Sequence, residues 1–259
     1  MTKPQPIYTS ANCQPAYQLN WSLALFWRTP VAGADWLTEL TEVTEKDGVR
    51  ILKYSPKSSE TALFLVSTTP GVAPEAIVRS VKGRLQYILR DKYPKVFRRN
   101  HSIFSVGSAK RATIEGYVSS QIGHHRMADS RVQRKLEQFQ INCPEMDLSR
   151  TRRSSHGDFM YNLHLVLVNA HRWMEIRDEV LETINISLLK ISGQKEHLLS
   201  RAGIFPDHIH MTLGCDITES PADVALGYLN NLAYVQGMKS VYQFGYYVGT
   251  FGEYDLGVM

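Results

Sequence analysis

Ala73-Pro74-Glu75-Ala76-Ile77 and Ser220-Pro221-Ala222-Asp223-Val224 stand 147 residues apart and open the same kind of segment. Each sets a proline at the first turn of a run with helical spacing. The first run places Ile77, Val81, Leu85 and Ile88 on one face, and the second places Ala225, Tyr228, Leu229, Leu232 and Val235 likewise. Working outward, an apolar strand precedes each run, at 61–67 and 208–214, again 147 apart. After each run comes an aromatic segment ending in small residues. Phe97 through Ser105-Val106-Gly107 answers Tyr242 through Thr250-Phe251-Gly252 at an offset of 145. Further upstream, the strand beginning Asn20-Trp21-Ser22-Leu23 answers the one beginning Asn162-Leu163-His164-Leu165 at an offset of 142. Offsets that drift over this range are what loop insertions produce in a duplicated unit.

Each unit reads strand, helix, strand, helix, strand. The opening helix and its strand lie in 34–65 of the first copy. In the second copy a helix is expected at about 172–189, and a strand or short helix leads to Phe205. This order predicts an α+β fold of two tandem ferredoxin-like, split βαβ units, each an antiparallel sheet with helices on one face, joined as an internal pseudo-dimer. The expected boundaries are 1–125 for the first unit, 126–158 for a linker and 159–259 for the second. The linker carries one amphipathic patch, Val132, Leu136 and Phe139, expected to be a helix.

Composition agrees with such a chain. Its 259 residues are 43% apolar, enough for one large domain or for two small ones with their own cores. The sequence has no run of 18 apolar residues, so no membrane span is expected. The first fifteen residues lack the apolar centre of a secretory signal. Cys13, Cys143 and Cys215 are odd in number and far apart, which excludes a disulfide framework or a thiolate zinc site and suits a reducing cytosol.

The charge is unevenly placed. Between Arg79 and Arg111 stand ten cations: Arg79, Lys82, Arg84, Arg90, Lys92, Lys95, Arg98, Arg99, Lys110 and Arg111. Asp91 is the one acid among them, so the stretch is +9 in a chain whose net charge is +4. A solvated face usually mixes both signs. A single-sign block containing Tyr87, Tyr93, Phe97 and Phe104 fits a polyanion whose phosphates meet cations and whose bases stack on rings.

The most specific local signal is Pro206-Asp207-His208-Ile209-His210. Residues two apart on a strand share a side, so two imidazoles project together while Ile209 faces the other way. Neutral imidazole is a common ligand of transition metals. An isolated H-x-H is equally compatible with capped surface histidines. Here the pair lies on an apolar strand with no nearby acid to account for both rings. The first unit has Thr61-Ala62-Leu63 at this place and cannot hold a metal so.

The complementary piece follows Gly107. A helix is expected with a buried stripe of Ile114, Val118 and Ile122, and a second column of Tyr117, Gln121 and His124 beside it. Tyr117 alone would read as a boundary aromatic with a wet hydroxyl. Its counterpart in the second unit would fall at about position 262, past Met259, so that unit is expected to lack this helix. One unit has the tyrosine without the histidines, and the other the histidines without the tyrosine.

The H-hydrophobe-H of His208-Ile209-His210, the Tyr117-Val118-Ser119-Ser120-Gln121 after Ser105-Val106-Gly107, and the basic helix Ser80-Val81-Lys82-Gly83-Arg84 resemble the single-tyrosine HUH transposases. These are the small enzymes of single-strand insertion sequences and their relatives acting on repetitive extragenic palindromes. The resemblance covers most of both units, while residues 33–57 and the linker match poorly. It implies that His208, His210 and Gln121 bind a divalent ion. Either Mg²⁺ or Mn²⁺ is expected to serve, and Mn²⁺ is expected to be held more tightly because imidazole suits it better. It implies that Tyr117 attacks single-stranded DNA and forms a 5′-phosphotyrosine. His124 or His125, close behind Tyr117 in sequence, is the expected acceptor of the phenolic proton.

The basic block would hold the strand or a hairpin stem. The chain departs from the family by fusing two units with complementary losses, which implies one composite active site in a monomeric pseudo-dimer, or in a further homo-oligomer of it, in the prokaryotic cytosol or nucleoid. The competing expectations are a domesticated DNA-hairpin-binding module that does not cut, and a metal-dependent hydrolase using the histidine pair alone.

Overall fold

The computed structural model describes residues 5–124, 129–237 and 239–254. The fold is α+β, with two six-stranded sheets and six α-helices among these residues. The strands are β1 (Gln14–Gln18), β2 (Asn20–Trp27), β3 (Val49–Ser58), β4 (Thr61–Thr68), β5 (Phe97–Val106), β6 (Ile141–Asn142), β7 (Arg152–Arg153), β8 (Gly157–Met160), β9 (Asn162–Val168), β10 (Leu198–Ile204), β11 (His208–Gly214) and β12 (Gly245–Phe251). The helices are α1 (Leu37–Glu45), α2 (Pro74–Leu89), α3 (Arg111–His124), α4 (Ser130–Gln138), α5 (Asp178–Gln194) and α6 (Pro221–Val235). One sheet runs β3-β4-β2-β5-β8-β7 and the other β1-β12-β9-β11-β10-β6. They are called here the first and second sheets.

The segment leading to Phe205, expected as a strand or a short helix, is the strand β10. Residues 34–68 hold α1 and a full hairpin, β3 and β4, and β10 and β11 form the matching hairpin in the second half. Strand β3 escapes pattern reading because it is a largely exposed edge with Pro56 near its end, where a proline is tolerated. Its central neighbour β4 alternates half-buried and buried residues throughout. Helices α2 and α6 form where the proline-led runs predict them. Ser220 caps α6 by accepting the Asp223 N–H, whereas Ala73 gives α2 no such bond.

The two sheets exchange strands. Strand β1 pairs in parallel with β12, from Gln14 opposite Gly245 onward, and β8 pairs in parallel with β5, from His101 opposite Gly157. At the seam the same bonds occur twice. The Ser105 hydroxyl donates to the Phe251 carbonyl (2.6 Å) and accepts the Asn162 N–H (3.0 Å). The Thr250 hydroxyl donates to the Val106 carbonyl (2.7 Å) and accepts the Asn20 N–H (2.8 Å). Gly107 and Gly252 follow these residues, and a side chain on either would run into the backbone carbonyl of Thr250 or Ser105. The repeated small-residue ending is therefore the condition for the two halves to approach each other.

Alternation then assigns the faces of the second sheet. Leu163, Leu165 and Leu167 pair with Leu213, Met211 and Ile209 and enter the core. His164, Thr212, His210 and His208 take the opposite face. Helix α3 packs over β10 and β11.

Candidate active site

Helix α3 follows the first half's last strand but docks on the second sheet. Its N-terminal turn is tied down by Arg111, whose backbone N–H donates to the Gly252 carbonyl (2.7 Å). The Arg111 guanidinium bonds Glu115 (2.6 Å) and Glu253. The buried Glu115 carboxylate also accepts the Ser200 hydroxyl of β10. The expected stripe of Ile114, Val118 and Ile122 is rotated. Glu115, Val118 and Gln121 are the buried residues, while Ile114 and Ile122 are partly exposed. The reason is that α3 lies on the polar face of the sheet rather than on an apolar core.

This docking brings the tyrosine of the first half to the histidines of the second. The Tyr117 ring, 47% exposed, stands edge-on to His210 with centroids 5.8 Å apart and to His164 at 6.4 Å. His208 and His210 are buried, their rings 4.9 Å apart. Phe205 stacks on His208 at 4.8 Å. Gln121, one turn beyond Tyr117, is 2% exposed, and its Oε1 is sealed with no hydrogen-bond partner among the described residues. A buried unmet acceptor costs about 1–3 kcal/mol and calls for a partner.

Each histidine has an outer partner on Nδ1. His208 Nδ1 lies 2.6 Å from Asp207 Oδ1, and Arg172 holds the other Asp207 oxygen at 2.9 Å. Burial pushes the Asp207 carboxyl up, but the bonds from His208 and Arg172 outweigh it and leave the group below its ordinary range. A proton on His208 Nδ1 toward this carboxylate leaves the lone pair on Nε2. His210 Nδ1 lies 2.9 Å from His164 Nε2. Burial lowers His164 to about 4, so it stays a neutral ring able to accept from His210.

Two imidazoles and an amide oxygen, all neutral, make a donor set suited to a divalent transition ion. Among the described residues no group of three or more His, Cys, Asp or Glu side chains is arranged to hold a metal, so Gln121 would have to complete the set. His164, Asp207 and Glu115 join the site through contacts that the sequence alone does not mark. The available signal for His164 was a polar residue at an alternating position of an apolar strand whose counterpart is Ser22. His125 lies outside the described residues, and for His124 only its place at the end of α3 is described.

The basic block lies on α2, the turn after it, β5 and the start of α3. Several of its cations are engaged within the fold. Lys82 Nζ donates to the carbonyls of Arg98 and Arg99, both at 2.8 Å, and Arg111 clamps α3. Arg84 pairs with Asp47 (3.0 Å) and Arg98 with Glu60 (2.6 Å). Bonds from Arg84 and Ser80 hold the Asp47 carboxyl below its usual range. Arg79 meets Glu75 at 3.7 Å, both well exposed. Arg90 lies over the Tyr87 ring at 4.0 Å and near Asp91, and Lys92 over Tyr93 at 5.5 Å. Lys95, Arg99 and Lys110 form no ion pair among the described residues.

The sequence matches no known family description, and no curated protein matches it. Solved structures do resemble it. A candidate transposase from Deinococcus radiodurans R1 is 19% identical with a TM-score of 0.32, over 47% of this chain and 98% of that one. A REP-associated tyrosine transposase bound to a REP hairpin is 11% identical with a TM-score of 0.31, over 40% of this chain and 62% of that one. A candidate glycine cleavage system transcriptional repressor is 8% identical with a TM-score of 0.22, over 90% of this chain and 98% of that one. At these similarities the reading of the site rests on its own geometry.

Proposed function

We propose that the chain is a fused pair of transposase-like units, bounded about 1–125 and 159–259 around the linker 126–158. It would cut and rejoin single-stranded DNA through one composite active site. The observation that carries this reading is the 5.8 Å approach of Tyr117, from the first half, to His210, from the second. His208, His210 and Gln121 would hold Mg²⁺ or Mn²⁺, whose chemistry is to withdraw charge from a phosphate oxygen. Asp207 and His164 fix the two rings so that Nε2 carries the lone pair.

The Tyr117 oxygen attacks the phosphorus, and the phosphorus–O3′ bond breaks. The products are a 5′-phosphotyrosine and a 3′-hydroxyl that takes up a proton. The phenolic proton goes to a base, a role assigned in this proposal to His124 or His125. Attack by a 3′-hydroxyl on the phosphotyrosine reverses the step and needs no nucleotide cofactor, because one phosphodiester replaces another. Phosphates of the strand or of a hairpin stem meet the basic surface, where Lys82, Lys92, Lys95, Arg99 and Lys110 are the block's cations outside ion pairs among the described residues.

Incubation with Mn²⁺ and single-stranded hairpin oligonucleotides is expected to give an SDS-stable adduct. Tyr117→Phe is expected to abolish it while oligonucleotide binding persists. An adduct that survives in this variant removes the tyrosine assignment. The second reading, a hairpin-binding module that does not cut, is favoured by the lack of a three-residue His, Cys, Asp or Glu cluster among the described residues. It predicts binding with no adduct in the parent chain.

A further inference from the structure

Three departures between the halves meet at one point of β12. Tyr247 and Gly249 stand two apart on this strand, opposite Val166 and His164 of β9, so both lie on the histidine face. At the offset of 145 their counterparts on β5 are Ser102 and Phe104, and at 142 the counterpart of His164 is Ser22. The second half therefore has a large ring where the first has a serine, and no side chain where the first has a large ring. It also has an imidazole where the first has a hydroxyl.

These three changes fit one another. The half-buried Tyr247 ring stands edge-on to His164, with centroids 5.7 Å apart and planes at 68°. To reach it the ring lies along the strand over Gly249. A side chain on Gly249 would begin 2.5 Å from the Tyr247 hydroxyl oxygen and 3.0 Å from Cζ. Gly249 does not occupy the left-handed region of the backbone, so what its missing side chain supplies is room. The Tyr247 hydroxyl has no hydrogen bond among the described residues, so the contact with His164 belongs to the ring.

His164 is then held by rings on several sides. It stacks on His210 with centroids 5.2 Å apart and planes at 20°, its Nε2 lying 2.9 Å from His210 Nδ1. Tyr117 stands edge-on to it at 6.4 Å. The hydrogen bond to His210 needs the His164 plane at one angle, and an edge-to-face ring contact is the directional kind that fixes an angle.

We infer that Tyr247 is a positioning residue of the site: its ring, seated over Gly249, holds His164 where it accepts from His210 Nδ1, which keeps the lone pair on His210 Nε2. The consequence for metal binding rests on the reading of His208, His210 and Gln121 as ligands given above. The positioning itself rests on the ring contacts.

Nitrogen-15 NMR of the histidine rings in the metal-free full chain reads the arrangement directly, because protonated and bare ring nitrogens resonate far apart. In the parent, His164 and His210 are each expected to carry the proton on Nδ1. Tyr247→Phe is expected to keep that pattern, since the ring alone is used. Tyr247→Ala is expected to move His210 to an average of its two tautomers in a chain that keeps its fold. The same variant is expected to bind Mn²⁺ about two- to tenfold more weakly by isothermal titration, the share of one aromatic pair. Gly249→Ala displaces the hydroxyl and is expected to act like Tyr247→Ala, and adding Tyr247→Phe to it is expected to recover part of the parent pattern. Parent-like His210 signals in Tyr247→Ala, or an equal disturbance by Tyr247→Phe, overturn the inference whether or not the parent binds Mn²⁺. A tautomer change in Tyr247→Ala, in a chain whose parent binds no Mn²⁺, overturns only the metal reading.

Discussion

On the second sheet, β9 and β11 place His164, His208 and His210 beneath α3. At the equivalent positions of the first sheet stand Ser22, Thr61 and Leu63. That face instead bounds a cavity of about 480 Å³ lined by Ser22, Leu63, Phe104 and Met160, with Tyr254 at its edge. The backbone repeats and the chemistry does not. What repeats is what the scaffold needs: proline-led helices, paired hydroxyl bonds at the seam, and glycines where carbonyls press close. What differs is the polar set, and it differs as a group. His208 has Asp207, His210 has His164, and α3 covers them, so each buried imidazole has an outer partner. A lone histidine at Leu63 would have none of these and would carry a desolvation cost without a ligand's return.

The comparison can be broken at several points. The largest effect is expected at His164. His164→Phe removes the acceptor of His210 Nδ1 and is expected to weaken Mn²⁺ binding about 10–100-fold by isothermal titration, the usual range for an outer-sphere partner. Ser22→Ala, its counterpart, is expected to leave Mn²⁺ affinity unchanged. Equal effects of the two would mean that the faces do not differ as described.

The seam tests the other half of the comparison, its symmetry. Ser105→Ala and Thr250→Val each leave a buried N–H and carbonyl without their shared hydroxyl. Each is expected to lower unfolding free energy by about 1–3 kcal/mol in denaturant titration. A large loss from one and none from the other would contradict the matched bonding. The smallest effect is expected at Tyr254→Phe, which alters the cavity edge on the first sheet. It should leave adduct yield as in the parent, and a lost adduct would place chemistry on the wrong face.

The sequence carried much of this arrangement. Strands β2, β4, β9 and β11 and helices α2 and α6 were legible because each has a strong apolar period and a repeat partner. The H-x-H pair and the Tyr117 helix were legible as separate pieces. Strand β3 was hidden by edge exposure and Pro56. Strands β1 and β8 were hidden because they are short and pair with the other half's last strand, so local pattern gives no hint of the partner. The phase of α3 is not legible in the sequence because its buried face includes the polar Glu115 and Gln121, and Glu115 is held there by Ser200 of a strand more than eighty residues away. His164 needed the sheet register, which no single strand reveals.

The central claim is that one chain supplies both the tyrosine and the histidines of one site. Mixing the Tyr117→Phe chain with the His210→Ala chain tests it, after the parent has formed an adduct under the same conditions. Each variant keeps the group the other lacks. A site closed within each chain predicts that the mixture stays as inactive as either variant alone. Recovery of the SDS-stable adduct on mixing would mean that Tyr117 of one molecule serves the histidines of another, and would contradict the account.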